Sequence, residues 1–234
     1  MVKLIATGAT LAASGAYAIS FGAGVFGGAA MPTGDMAADL VLYYQYTPSG
    51  GSVGYKGGDM KASPKMGARA YLGVLPGLEI EAAFGYHFNH PQKDWNVPNF
   101  DEPSYRIIPI TAGANYVIPV GPVALYAGGG GGYYLAKGKL EGSFKVPPFG
   151  DVKLSGDMNV NKPGFYAGGG LRYYLGKFSL DVGPRFNYVI NDGTYDVDME
   201  YNVGGFGGSV PFEVEKGFND SFVDILVGAN YYFM

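Results

Sequence analysis

Eight segments of alternating hydrophobicity, charges that fall on one parity, and connections that alternate short and long predict an all-β fold. The specific expectation is an eight-stranded antiparallel up-and-down transmembrane β-barrel. Composition agrees. The 234 residues carry a formal net charge of −4, and charged residues are 15% of the chain, below the ~25% usual for soluble proteins. There are 40 glycines without a G-X-Y period, which excludes collagen, and 20 tyrosines, which argues against disorder. The chain has no cysteine, so disulfides and Cys-ligated metals are excluded. No basic stripe points to nucleic acid.

Residues 1–18 are expected to be a cleaved signal peptide, leaving 19–234 as the barrel domain. Lys3 supplies the positive end, Leu4 to Ser14 a weakly apolar stretch, and Ala16-Tyr17-Ala18 the small-x-small cleavage pattern. The competing expectation is a transmembrane helix, because no charge stands between Lys3 and Asp35. The Gly, Ala and Thr content of that stretch inserts poorly. Beyond it no long apolar helix is predicted. A membrane-spanning remainder must then be a barrel, since only helices and closed barrels satisfy every backbone group in lipid.

Parity assigns two faces to each strand. From Ile19 to Met31 the outward set is Ile19, Phe21, Ala23, Val25, Ala29 and Met31, with Phe26 and glycines inward. From Met66 to Val74, Met66, Ala68, Ala70, Leu72 and Val74 face out, and Arg69 and Tyr71 face in. From Leu78 to Phe88, Ile80, Phe84, Tyr86 and Phe88 face out, against Glu79, Glu81 and His87. Between Arg106 and Ile118, Ile108, Ile110 and Tyr116 oppose Thr111, Gly113 and Asn115. In the second half, Val123–Leu135 turns Leu125, Ala127 and Tyr133 outward, with Tyr126, Tyr134 and glycines inward. Gly164–Leu175 turns out Phe165, Leu171 and Tyr173, against Tyr166 and Arg172. Phe178–Ile190 turns out Leu180, Val182, Phe186 and Tyr188, against Asp181, Arg185 and Asn187. Ser221–Phe233 turns out Val223, Ile225, Val227, Tyr231 and Phe233, against Asp224 and Asn230.

Charge decides which face is which. Arg69, Glu79, Glu81, Arg172, Asp181, Arg185 and Asp224 share the inner face. The opposite assignment would put them in lipid, at roughly 2–4 kcal/mol for each midplane Arg. Arg106 breaks the parity, but at a strand end it reaches headgroups.

Tight turns are expected at Leu75-Pro76-Gly77, Pro119-Val120-Gly121 and Gly176-Lys177. Long connections fill 32–65, 89–105, 136–163 and 191–220. Short periplasmic turns and long extracellular loops are the barrel asymmetry. Two aromatic girdles follow: Tyr116, Tyr173, Tyr231 and Phe233 at the periplasmic interface, and Phe88, Tyr133, Phe165 and Tyr188 at the other. Pro184 and Pro109 remove ladder donors inside strands, so bulges are expected there.

The segments YAGGGGGYYL, FYAGGGLRYYL and the terminal VGANYYFM resemble the small outer-membrane β-barrels, the OmpA-barrel, OmpX and OmpW-like group. The resemblance covers 19–234, and its terminal strand is similar to the group's C-terminal assembly signal. Phe233 is followed here by Met234, a departure from a terminal Phe. The resemblance implies export to the outer membrane of a Gram-negative bacterium. As partners it implies outer-membrane lipid and lipopolysaccharide, the barrel assembly machinery, and an extracellular ligand reached through the loops.

Other motifs carry less. Gly22-Ala23-Gly24-Val25-Phe26-Gly27 matches G-x-G-x-x-G, but no helix follows, so no nucleotide cofactor is expected. His87 and His90 with Glu79 and Glu81 suggest a metal or acid–base pair; no serine stands beside His87, and the expectation is a polar residue lining the mouth, with no enzyme activity. The inward charges form either a closed set of ion pairs or a polar path, and eight strands leave an interior just wide enough for side chains. The stretch 191–219, with Asp192, Asp196, Asp198, Glu200, Glu213 and Glu215 against Lys216, is expected to be a solvated acidic loop. Leu140–Val146 and Val152–Val160 are expected to form a projecting hairpin, whose edge suits β-augmentation. The expected function is therefore structural or surface interaction, with a small-solute channel of OmpW-like type as the alternative and a lipid A-modifying enzyme as a remote third.

Overall fold

The computed structural model describes residues 20–33, 41–45, 52–56, 61–88, 101–102, 104–146, 150–190, 194–203, 206–215 and 220–233. The signal segment with Ala16 and Ala18, and His90, lie outside them.

Eight strands close a ring. They are β1 (Ser20–Thr33), β4 (Ser63–Leu75), β5 (Leu78–His87), β6 (Ser104–Val120), β7 (Val123–Val146), β8 (Gly150–Leu175), β9 (Phe178–Val189) and β12 (Asp220–Phe233). Each pairs antiparallel with the next, and β12 pairs with β1 to complete the circle. Closure removes both sheet edges, which is what allows strands to sit in lipid. The three short turns contain Gly77, Gly121 and Gly176, each with φ between 66° and 76°. An L side chain rarely adopts that backbone, so glycine is what lets the chain reverse within two residues.

The faces alternate along every ring strand. Val25 (63% exposed), Val227 (59%) and Leu180 (51%) point out, while their sequence neighbours Phe26, Leu226 and Ser179 are buried. A continuous exterior of exposed Val, Ile, Leu and Phe is intolerable in water and suits lipid.

The prolines act differently from the sequence expectation. No bulge forms at Pro184: β9 keeps its register with β12 on one side and β8 on the other. The β8–β9 ladder instead skips two pairs between Gly168↔Arg185 and Leu171↔Val182. The facing stretch is Gly168-Gly169-Gly170, which lets the backbones lie close without a ladder bond. Pro109 also keeps its β6–β7 register, and the β5–β6 ladder ends just before it, at Phe84↔Ile110. Its ring lies over Gly85, where a Cβ would approach the proline Cγ to 3.0 Å. The register shift that does occur lies between Gly73 and Leu75, at a turn.

The long connections hold more structure than loops. β7 and β8 run on past the ring as a paired hairpin up to Val146↔Gly150. The acidic stretch is not a loop but a hairpin, β10 (Thr194–Val203) with β11 (Phe206–Glu215), and β10 pairs with β8 through Glu200↔Ser155. Its sequence alternates strictly, TYDVDMEYNV, and the extended edge of β8 gives it a template. The segment 32–65 likewise holds a small hairpin, β2 (Val41–Gln45) with β3 (Ser52–Lys56), and its last residues belong to β4.

Candidate functional site

Among the described residues, buried charged side chains converge in the barrel interior. Period two brings them there: every second residue of each ring strand points to the axis. Arg69, Glu81, Arg172, Asp181, Arg185 and Asp224 are all buried, and Glu79 is nearly so, its side chain 12% exposed.

Four ion pairs cross the interior. Nearest the short turns, Arg172 Nη1 donates to Glu79 Oε2 at 2.7 Å. The Arg172 guanidinium lies between Tyr71 and Tyr126, with centroid distances of 5.0 and 5.3 Å. Further up, Arg69 Nη2 donates to both oxygens of Asp181, at 2.6 and 2.5 Å. Asn230 supports this pair from both sides: it accepts from Arg69 Nε at 3.1 Å and donates to Asp181 at 2.7 Å. Beside it, Arg185 Nη2 donates to Glu81 Oε1 at 2.8 Å, and Asn115 donates to the other Glu81 oxygen at 3.2 Å. The Arg185 guanidinium stacks on Tyr166 at 3.6 Å. β5 and β9 are four strands apart either way round the ring, so Arg185–Glu81 spans the full width of the lumen.

The fourth pair lies toward the long-loop end and is not evident from the sequence. Lys65 bonds Asp224, which also accepts from Asn187 at 2.9 Å. Tyr134 donates to Asn187 at 3.2 Å. Lys65 lies in a segment expected to be loop, yet it shares parity with Arg69. Extending the alternation back through Gly67 and Lys65 to Ser63 is the available signal. With Lys65 included, the interior holds four cations and four carboxylates, Arg69, Arg172, Arg185 and Lys65 against Glu79, Glu81, Asp181 and Asp224.

Aromatic and apolar side chains cap this network. Phe222 is fully buried, with His87 edge-on at 4.7 Å and Tyr134 at 6.0 Å. His87 is itself 0% exposed and does not line an open mouth; its Nε2 is 4.0 Å from Asp224. Ile107 and Tyr105 are buried at the same end.

The inward glycines are filled space rather than empty space. A Cβ on Gly228 would run into Arg69 and Asp181, one on Gly113 would meet Tyr166 Oη at 2.5 Å, and one on Gly164 would meet Tyr134 at 2.8 Å. Arg69, Tyr166 and Tyr134 each occupy volume that a glycine on a nearby strand vacates.

On the outer wall, Tyr116, Tyr173, Tyr231 and Phe233 lie toward the short-turn end, with Tyr231 edge-on to Phe233 at 4.9 Å. Phe88, Tyr133, Phe165 and Tyr188 lie toward the other end, and Phe165 stacks on Tyr188 at 5.0 Å.

A closed eight-stranded ring, apolar outside and charge-paired inside, has the architecture of the small outer-membrane β-barrels. A solved structure agrees on the fold. The chain is similar to a major outer membrane protein of Thermus thermophilus, at 14% identity over 92% of this chain and 100% of that one, with a TM-score of 0.54. It also aligns with the outer membrane protein OprG of Pseudomonas aeruginosa (15% identity, 92% and 97% coverage, TM-score 0.48). A third alignment is with the Neisserial surface protein NspA (16% identity, 91% and 97% coverage, TM-score 0.46). No family model and no curated protein matches the sequence. At these identities the likeness concerns the fold, and the fold fits a bacterial outer membrane.

Proposed function

We propose that this protein is an outer-membrane barrel with a sealed interior that acts through its extracellular face. The observation that carries the proposal is the Arg185–Glu81 pair spanning the lumen, stacked between the Arg69–Asp181 pair and the Phe222 cap. A solute moving down the axis would have to break buried pairs, and leaving one such charge uncompensated costs roughly 3–5 kcal/mol. The long-loop end supports a surface role. There the β7–β8 hairpin extends past the ring and carries β10 and β11 as an added sheet. That sheet offers backbone for strand addition by a partner. A catalytic role has little support, since His87 lies fully buried against Phe222. We take residues 1–18 as the export signal and the barrel assembly machinery as the folding partner.

The test is planar-bilayer conductance of the refolded full chain. A quiet membrane is expected. Reproducible single-channel steps from the wild-type protein would refute the sealed interior and favour a small-solute channel.

A further inference from the structure

The outer wall is apolar through most of its height, but its chemistry changes at one place. Toward the long-loop end the outward positions run Ile110, Ile108, Arg106 on β6 and Tyr133, Leu135, Lys137 on β7. Arg106 and Lys137 are direct cross-strand partners. Both are exposed while Ile107 and Ala136 beside them are buried, so both cations face away from the lumen. Side chains directly opposite in an antiparallel pair stand with Cβ atoms ~5 Å apart, and like charges there destabilise the pair.

No side chain among the described residues pairs with either cation; the exposed Asp157 is only a diagonal neighbour of Lys137 across the β7–β8 ladder. The next outward cation, Lys139, is engaged by Glu141 at 2.5 Å and has Asp157 as its register partner. No ion pair among the described residues involves Arg106 or Lys137. Elsewhere at the upper end of the outer face stand Met31, Phe88, Asn161 and Ile190, all uncharged. The pair sits one outward position above Ile108 and Leu135. That is roughly 7 Å along a strand and, with the usual tilt, about 5 Å in height. Cations at that level meet headgroups while the side chains below them meet acyl chains.

We propose that Arg106 and Lys137 clamp a phosphate of an outer-leaflet phosphorylated glycolipid, whose acyl chains lie against Ile108, Leu135, Ile110 and Tyr133. One anion between the two cations turns a repulsive pair into two charge-assisted contacts, and the planar guanidinium suits a phosphate bidentately. The apolar strip beneath selects a lipid over a free ion. This site lies outside the lumen and stands whether or not the interior conducts.

The experiment is native mass spectrometry of the detergent-solubilised full chain titrated with bisphosphorylated lipid A. The wild-type protein is expected to hold one lipid at least tenfold more tightly than the Arg106→Gln/Lys137→Gln variant. Lipid A stripped of its phosphates should bind both forms equally weakly, and millimolar inorganic phosphate should not displace the adduct. Lys139→Gln should leave binding within about twofold. Heat-modifiable gel mobility establishes that each variant is folded, and Arg106→Gln alone serves if the double variant is not. Equal binding by wild type and variant, phosphate-independent binding, or displacement by inorganic phosphate would each overturn the proposal.

Discussion

Glu81→Gln probes the interior at its widest brace. The change keeps the shape of the side chain and removes the charge that faces Arg185. Both partners are buried, Glu81 at 6% and Arg185 at 8% exposure. Breaking a buried pair from one side costs roughly 3–5 kcal/mol, because the other charge is left uncompensated. Part of that is offset here. The glutamine amide oxygen can still accept from Arg185 Nη2 where Glu81 Oε1 does now, so the hydrogen bond is kept while the charge is lost. The lower end is therefore expected, about 3 kcal/mol, which is more than a hundredfold in the folding equilibrium. With a urea slope of ~1–3 kcal/mol/M, the midpoint should fall by roughly 1–3 M. The assay is urea unfolding in detergent micelles, read as loss of the compact band on an unheated gel. The paired variant Glu81→Leu/Arg185→Met should recover most of the loss, since apolar replacement of both members of a buried pair is often neutral. A Glu81→Gln midpoint indistinguishable from wild type would mean that water already screens the pair, and the sealed interior would fall with it.

Two further outcomes follow from the packing. Gly228→Ala places a methyl group where Arg69 and Asp181 now meet, and overpacking of this kind costs roughly 1–3 kcal/mol; the same urea series checks it, and an unchanged midpoint would show that the pair can move aside. Val182→Arg puts a cation on the lipid face midway between the Phe178 and Tyr188 levels, at roughly 2–4 kcal/mol; refolding yield into vesicles should drop sharply, and undiminished yield would argue against the assigned membrane depth.

Much of this barrel is legible in the chain because a strand's two faces are a local property. Leu180 and Ser179 differ in hydropathy, and no tertiary information is needed to send one to lipid and the other inward. The three glycine turns are equally local, since a positive φ is a demand on a single residue. What escaped was non-local. Lys65 was hidden because strand ends depend on how far a neighbour offers a ladder, and β1 supports β4 back to Ser63. The acidic stretch became β10 and β11 because β8 extends beyond the ring and offers an edge. Pro184 and Pro109 left no bulge because the ladder lapses opposite Gly169 and Gly85 while the register holds, a fact about the neighbouring strand.

The same division holds for the interior. Period-two alternation by itself determined which side of the wall the charged residues occupy, because the penalty for a charge in lipid acts on one residue at a time. Only the closed ring decided which carboxylate each cation reaches. Arg185 and Glu81 are 104 residues apart in the chain and meet because strand order and stagger bring β5 and β9 to opposite walls at one height. The fate of the glycines was decided there too. Alone, each reads as space; beside Tyr166, Tyr134 or Arg69 from a strand one or two places round the wall, each is the room a larger side chain needs, and that complementarity exists only once the strands have paired.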